Sequence, residues 1–347
     1  MESDQKKKRD VSIDIMRGIA ILTMVAANMS AYVLIMPPPF LFRFFGTFAA
    51  PLFIMLSGLM IALKGSAGEH DFRYYLERGL LTLGAAALID VFIWHTLPFI
   101  SVDVLYTIGV SMPLAYLFLK LSDRSRWAAI FLIFLLGPVF RWLLGYQQYD
   151  VLILRPFNLF NLDVDFVQTA KNWIADGFFP LFPWLGFSFL GPVLQKARLA
   201  SPLRFGSKKS LLIGLFILAS GAALWAVYPG PLLIRENYSE LFYFPTIGYI
   251  VTSIGIILTL FSAVDLNPGL KLLKPLQVLG ESSLFTYIFH LALIKYLLGV
   301  FWPGQSFDVF IVLYALFMLF LIATAYGIRY LKGRWSARPF LVKFLIG

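Results

Sequence analysis

The chain has 347 residues, a formal net charge of +10, no cysteine, and 59% hydrophobic against 14% charged residues. Soluble domains carry about a quarter charged residues, so a mean hydropathy of +0.79 excludes an ordinary soluble enzyme. The missing cysteine excludes disulfides, thiolate nucleophiles and sulfur-ligated metals.

Apolar runs of about 20 residues predict an all-α polytopic membrane protein, a bundle of about ten transmembrane helices. The spans are expected at about 11–36, 39–63, 79–98, 103–119, 127–145, 172–195, 210–228, 244–263, 282–302 and 308–328. The first follows a basic segment and is too long for a cleavable signal, so it reads as a start-anchor. An even number of spans puts both termini on one side. With that side assigned to the cytoplasm, the N-terminal segment, the inner loops and the tail hold 23 of the 29 Lys and Arg, which supports an N-in/C-in arrangement. The basic excess therefore marks a membrane face and not a nucleic-acid site. Three parts follow: a basic N-terminus at 1–10, a membrane domain at 11–328, and a basic interfacial tail at 329–347. The longest exterior connections are 146–171 and 229–243.

Ionisable and amide groups inside spans are functional hypotheses, because burying them in hydrocarbon is costly. The first helix carries Asn28, the third Asp90 and, near its outer end, His95. The ninth carries His290 and then Lys295. At 1.5 Å per residue, Asn28, Asp90 and His290 fall in the middle to outer part of the bilayer and could share a cavity. Structural readings stand beside this one: an Asp90–Lys295 ion pair, a packing role for His290, and helix association through Asn28. At the inner face Arg17, Lys64, Arg73 and Arg78 are expected to form a basic rim able to hold phosphates. Asp14 lies three residues before Arg17 and is spaced to clamp it. Lipid headgroup contact is the alternative role of that rim. The three histidines are dispersed, so no metal site is expected.

Residues 12–32, SIDIMRGIAILTMVAANMSAY, resemble the first-helix signature of the transmembrane acyltransferase superfamily, in particular the heparan-α-glucosaminide N-acetyltransferase-like membrane proteins. APLFIMLSG at 50–58, DGFFPLFPWLG at 176–186 and LGESSLFTYIFH at 279–290 fit the same group in the same order. The resemblance implies transfer of an acyl group, usually acetyl, from cytosolic acetyl-CoA to a sugar or other acceptor on the far side of the membrane. Its implied partners are membrane lipids, acyl-CoA and a glycan or glycolipid acceptor. Homo-oligomerisation is left open. Arg17 and Gly18 match the family's arginine-glycine pair, Asn28 a helix-one position that is asparagine or histidine, and His290 the histidine ending the late signature. The stretch after Asn28 lacks the histidine expected there, and Tyr106 stands where many relatives have histidine.

The expected reaction places CoA phosphates at the rim around Arg17. His290 or His95 removes the acceptor proton, Asn28 donates to the oxyanion, and Asp90 orients a histidine or holds Lys295. A transporter or flippase of a lipid-linked or small polar solute, and a non-catalytic relative of the acyltransferases, are the alternatives.

Overall fold

The structure is a computed structural model that describes residues 9–65, 68, 70–144, 156–157, 164–238, 240–335 and 337–347. Most of the 1–10 segment and of the 146–171 connection, with Asp150, Arg155 and Asp163, lies outside them. The described residues are helical, with three isolated β-bridges and no strand. In chain order the helices are α1 (Val11–Val33), α2 (Phe40–Thr47), α3 (Ala49–Gly65), α4 (Phe72–Ile89), α5 (Val104–Phe118), α6 (Asp123–Leu143) and α7 (Phe166–Lys171). They continue as α8 (Leu181–Leu199), α9 (Lys208–Val227), α10 (Ile247–Leu266), α11 (Lys274–Gly280), α12 (Ser283–Leu293), α13 (Gly299–Phe301), α14 (Phe307–Arg334) and α15 (Phe340–Ile346).

Seven described helical segments are long and apolar enough to cross a membrane, eight if the bent pair at 166–199 is one span. The expected spans at 79–98 and 103–119 fall short for different reasons. In the first, α4 starts at Phe72 and takes Arg73, Glu77 and Arg78 into its opening turns, while α5 has only 15 residues. The expected span at 172–195 is broken by a 47° bend before α8.

The helix α1 is the hub. Asp10 caps it by accepting from the Ser12 amide, and residues on every side of it, including Ile13, Ile15, Met16, Ile21 and Val25, are buried. A helix buried on all sides belongs in the centre of such a bundle. It touches α11 almost backbone to backbone. A Cβ on Gly18 would lie 2.0 Å from the Leu276 carbonyl oxygen, and one on Gly280 would lie 1.9 Å from that of Asp14. Only glycine permits this approach. The α9–α10 hairpin interlocks in the same way through Gly214, Gly221, Gly248 and Gly255. By contrast, α6 and α9 are mostly unburied and form the periphery.

Both ends of the described chain meet at one end of the bundle. Arg9 Nη2 and Lys332 Nζ donate to the Glu281 carbonyl oxygen at 3.4 and 3.0 Å. The tail continues α14 to Arg334, and α15 then packs against α12 with Phe344 under the Arg78 guanidinium. Beside them, fully buried Arg198 binds Asp10 at 2.8 Å and Asp265 at 2.7 Å. Burial alone raises the Asp10 carboxyl, but hydrogen bonds and charge from Arg198, with help from Arg204, hold it below its ordinary range.

Candidate active site

Because α1 and α12 run side by side from the Gly18–Gly280 crossing, Asn28 arrives opposite His290. The His290 Nδ1 lies 2.9 Å from the Thr286 carbonyl oxygen, which can only accept, so the neutral ring carries its proton there. Its Nε2 is then a bare acceptor, and Asn28 Nδ2 donates to it at 3.0 Å. His290 is completely buried, whereas Asn28 faces a chamber of about 360 Å³.

Of three π-helical turns, Asp90–Trp94, Asn172–Asp176 and Ile294–Leu298, the first and third reach this chamber. Such turns shift the side-chain register within a helix and recur at functional sites. Here they bring Trp94 and Lys295 to the wall. The irregular segment after the first turn is stitched to the segment after the second. Asn172 donates to the Ile100 carbonyl at 3.0 Å, and the Phe178 and Phe179 amides donate to Ser101 and Val102 at 2.9 Å. Internal bonding of this kind is what allows non-helical backbone at membrane depth.

Asp103 also lines the chamber. Its Oδ1 caps α5 by accepting from the Val104 amide at 2.6 Å, and its Oδ2 accepts from the Tyr287 hydroxyl at 2.8 Å. Tyr287 lies one turn before His290 and packs edge-on against its ring. On the facing segment, Glu240 accepts from the Tyr243 hydroxyl at 3.0 Å, and burial pushes its carboxyl up to about 7. Asp103, Tyr287 and Glu240 are not among the residues that the sequence marks out. The one usable signal was Asp103 directly ahead of an apolar run, where a carboxylate caps a helix and stands at its mouth.

The remaining expected residues separate into distinct places. Asp90 is buried behind the wall, where the Tyr106 hydroxyl donates to it at 2.6 Å and Ser101 reaches both its oxygens at 3.4 Å. It forms no pair with Lys295, whose ammonium lies over the Tyr32 ring at 5.2 Å inside the chamber. His95 is exposed and does not join His290. It closes the first π turn with φ 56° and meets the Tyr296 hydroxyl at 3.2 Å. Tyr296 also bonds the Phe92 carbonyl.

At the other end of α1, Asp14 accepts from Arg9 at 2.9 Å and from Arg17 at 3.3 Å. Arg78 lies close enough to Arg17 for their charges to repel. Lys64 lies in the last turn of α3, whereas Arg73 is strongly exposed and paired with Glu77 at 2.8 Å. The chamber descends along α1 only to Met24, so about 10 Å of helix separates it from Arg17. Among the described residues, no group of three His, Cys, Asp or Glu is placed to hold a metal.

No curated protein matches the chain. A family model described as "Heparan-alpha-glucosaminide N-acetyltransferase, catalytic" matches residues 9–228, a segment that includes Arg17, Asn28, Asp90 and Asp103 and ends before Glu240 and His290. That match covers more than half of the chain, and the protein belongs to the heparan-alpha-glucosaminide N-acetyltransferase catalytic family, a family of membrane acetyltransferases.

Proposed function

We propose that the protein moves an acetyl group from cytosolic acetyl-CoA to a hydroxyl or amine, on a sugar or similar acceptor, held in the Asn28 chamber. The observation that carries this reading is Asn28, fixed from behind by His290, sharing one chamber with the carboxylate of Asp103. The excess of Lys and Arg assigns the Arg17 end to the cytoplasm. There Arg17, Arg78 and Lys64 receive the nucleotide phosphates, and Asp14 fixes the Arg17 fork. The pantetheine arm spans the interval to Met24 and delivers the thioester to Asn28.

Asp103 accepts the proton of the acceptor O–H or N–H as the oxygen or nitrogen attacks the thioester carbonyl. One Asn28 N–H is engaged by His290, and the other donates to the oxyanion of the tetrahedral intermediate. Collapse breaks the carbon–sulfur bond, the CoA thiolate leaves, and the proton passes from Asp103 to that thiolate. His290 is thus a positioning residue, because its only acceptor nitrogen already holds Asn28. In this scheme Asp103, in place of the expected His290 or His95, takes the acceptor proton, and Asp90 supports the wall through Ser101.

The test is a melting scan of the purified protein with CoA, acetyl-CoA and longer acyl-CoAs. A ligand at 100 times its dissociation constant adds about 2.7 kcal/mol. Stabilisation by acetyl-CoA that weakens in Arg17→Gln is the expected result, and the absence of a shift with every acyl-CoA sinks the reading.

A further inference from the structure

A second cavity of about 310 Å³ lies behind Phe178, Phe242 and Tyr243, the aromatic partition it shares with the first chamber. Its other walls are largely proline and aromatic, yet they contain two arginines, Arg141 on α6 and Arg235 on the 229–246 segment. Arg235 is only 2% exposed. Its Nη1 donates to the Gly177 carbonyl at 3.3 Å, and its Nη2 lies 3.5 Å from Asp176 Oδ1, at the limit of a hydrogen bond. Its Nε has no hydrogen-bond partner among the described residues. A guanidinium offers five donors in a planar fork, and buried donors are ordinarily satisfied. Asp176 and, from the first chamber, Glu236 balance part of the charge, but neither fills the fork.

The surroundings say what kind of ligand would complete it. Tetrahedral and planar oxoanions match the arginine fork. Thr246 caps α10 at the cavity wall, and Trp142, 77% exposed, marks the end of α6, the position where indoles sit at a membrane–water boundary. From Trp142 an exposed apolar stripe of Val139, Leu135 and Phe131 runs down α6.

We propose that this second cavity binds an oxoanion, phosphate, sulfate or carboxylate, with Arg235 as its hydrogen-bonding fork and Arg141 as a second cation lining the same cavity. A lipid phosphate would lay its chains along the α6 stripe, whereas a soluble oxoanion would use the arginines alone. The site stands whether or not the first chamber transfers an acyl group.

The experiment uses the full chain in neutral phosphatidylcholine nanodiscs and reads the melting midpoint against two probes, phosphatidylglycerol added to the disc and inorganic phosphate added to the buffer. Either probe should raise the midpoint, and Arg235→Gln should require about tenfold more of it for the same rise. A response to phosphatidylglycerol alone identifies the lipid source, and a response to phosphate identifies a free oxoanion. Arg141→Gln provides the same reading from α6 if Arg235→Gln does not fold. No rise with either probe, or an equal rise in wild type and variants, overturns the proposal. Acetyl-CoA stabilisation measured on the same samples separates this outcome from failure of the acyltransfer reading.

Discussion

At the Arg17 end of the bundle buried charges meet opposite charges, whereas around the Asn28 chamber three carboxylates meet tyrosine hydroxyls, with the buried Arg235–Asp176 pair lying behind its aromatic wall. Arg198 is clamped between Asp10 and Asp265, and Asp14 between Arg9 and Arg17. Around the chamber, Asp90 takes a hydrogen bond from Tyr106, Asp103 from Tyr287 and Glu240 from Tyr243. An ion pair stabilises one protonation state and resists change. A carboxylate held by a neutral hydroxyl can exchange its proton without losing its partner. The first arrangement fixes charge in place, whereas the second leaves a carboxylate able to change its protonation state.

The largest effect expected from breaking this contrast is at Arg198. Arg198→Met takes the buried cation away from Asp265 and leaves Asp10 held by the half-exposed Arg204, and removing one partner from a buried pair costs about 3–5 kcal/mol. Unfolding in detergent should show that loss, with specific activity of the remaining folded protein unchanged. An unaltered midpoint would mean that the clamp carries no stability. At the other end Asp103→Asn keeps the shape of the α5 cap and the Tyr287 contact but removes the base. It should lower acetyl transfer by about 10²–10⁴-fold at unchanged melting temperature. Retained activity would transfer the proton to another group.

Asn28→Ala should lower the rate by about 10²–10³-fold, the usual cost of losing an oxyanion donor. His290→Gln, which can still accept from Asn28, should fall less. The split between these two variants tests whether His290 acts through Asn28. Equal losses would give His290 a chemical role of its own.

How much of this was legible follows from the same contrast. Asn28 and His290 stand out in the sequence because polar groups in apolar runs are costly, and their parallel helices bring them together. Asp14 and Arg17 are legible from helical spacing. The sequence allows an Asp90–Lys295 ion pair, but depth along a helix fixes one coordinate and not the direction around its axis. The π turns at 90–94 and 294–298 then send them to different surroundings. Arg198 read as one more basic residue of an inner loop, and nothing in composition shows that α8 carries it into full burial. Asp103 was hidden at the edge of a span, where a capping carboxylate and a catalytic one look alike.

The smallest effect expected belongs to Glu240, and it sharpens the comparison through pH. Its carboxyl, ordinarily near 4.5, is pushed up to about 7 by burial, with the Tyr243 hydroxyl and Arg43 only partly opposing. The folded state therefore holds this proton more tightly than the unfolded chain. That contribution to stability is fully present below pH 4.5 and is lost as pH rises through 7, by at most about 1.4 kcal/mol per pH unit. Glu240→Gln keeps the hydrogen-bonding shape and removes the titration, so its stability should stay flat across that window where the wild type declines. The clamped Asp10 runs the opposite way: its lowered carboxyl adds stability above its ordinary range that is lost on acidification. Parallel curves for wild type and Glu240→Gln would show that Glu240 is already ionised, and the chamber end would then handle charge as the Arg198 clamp does.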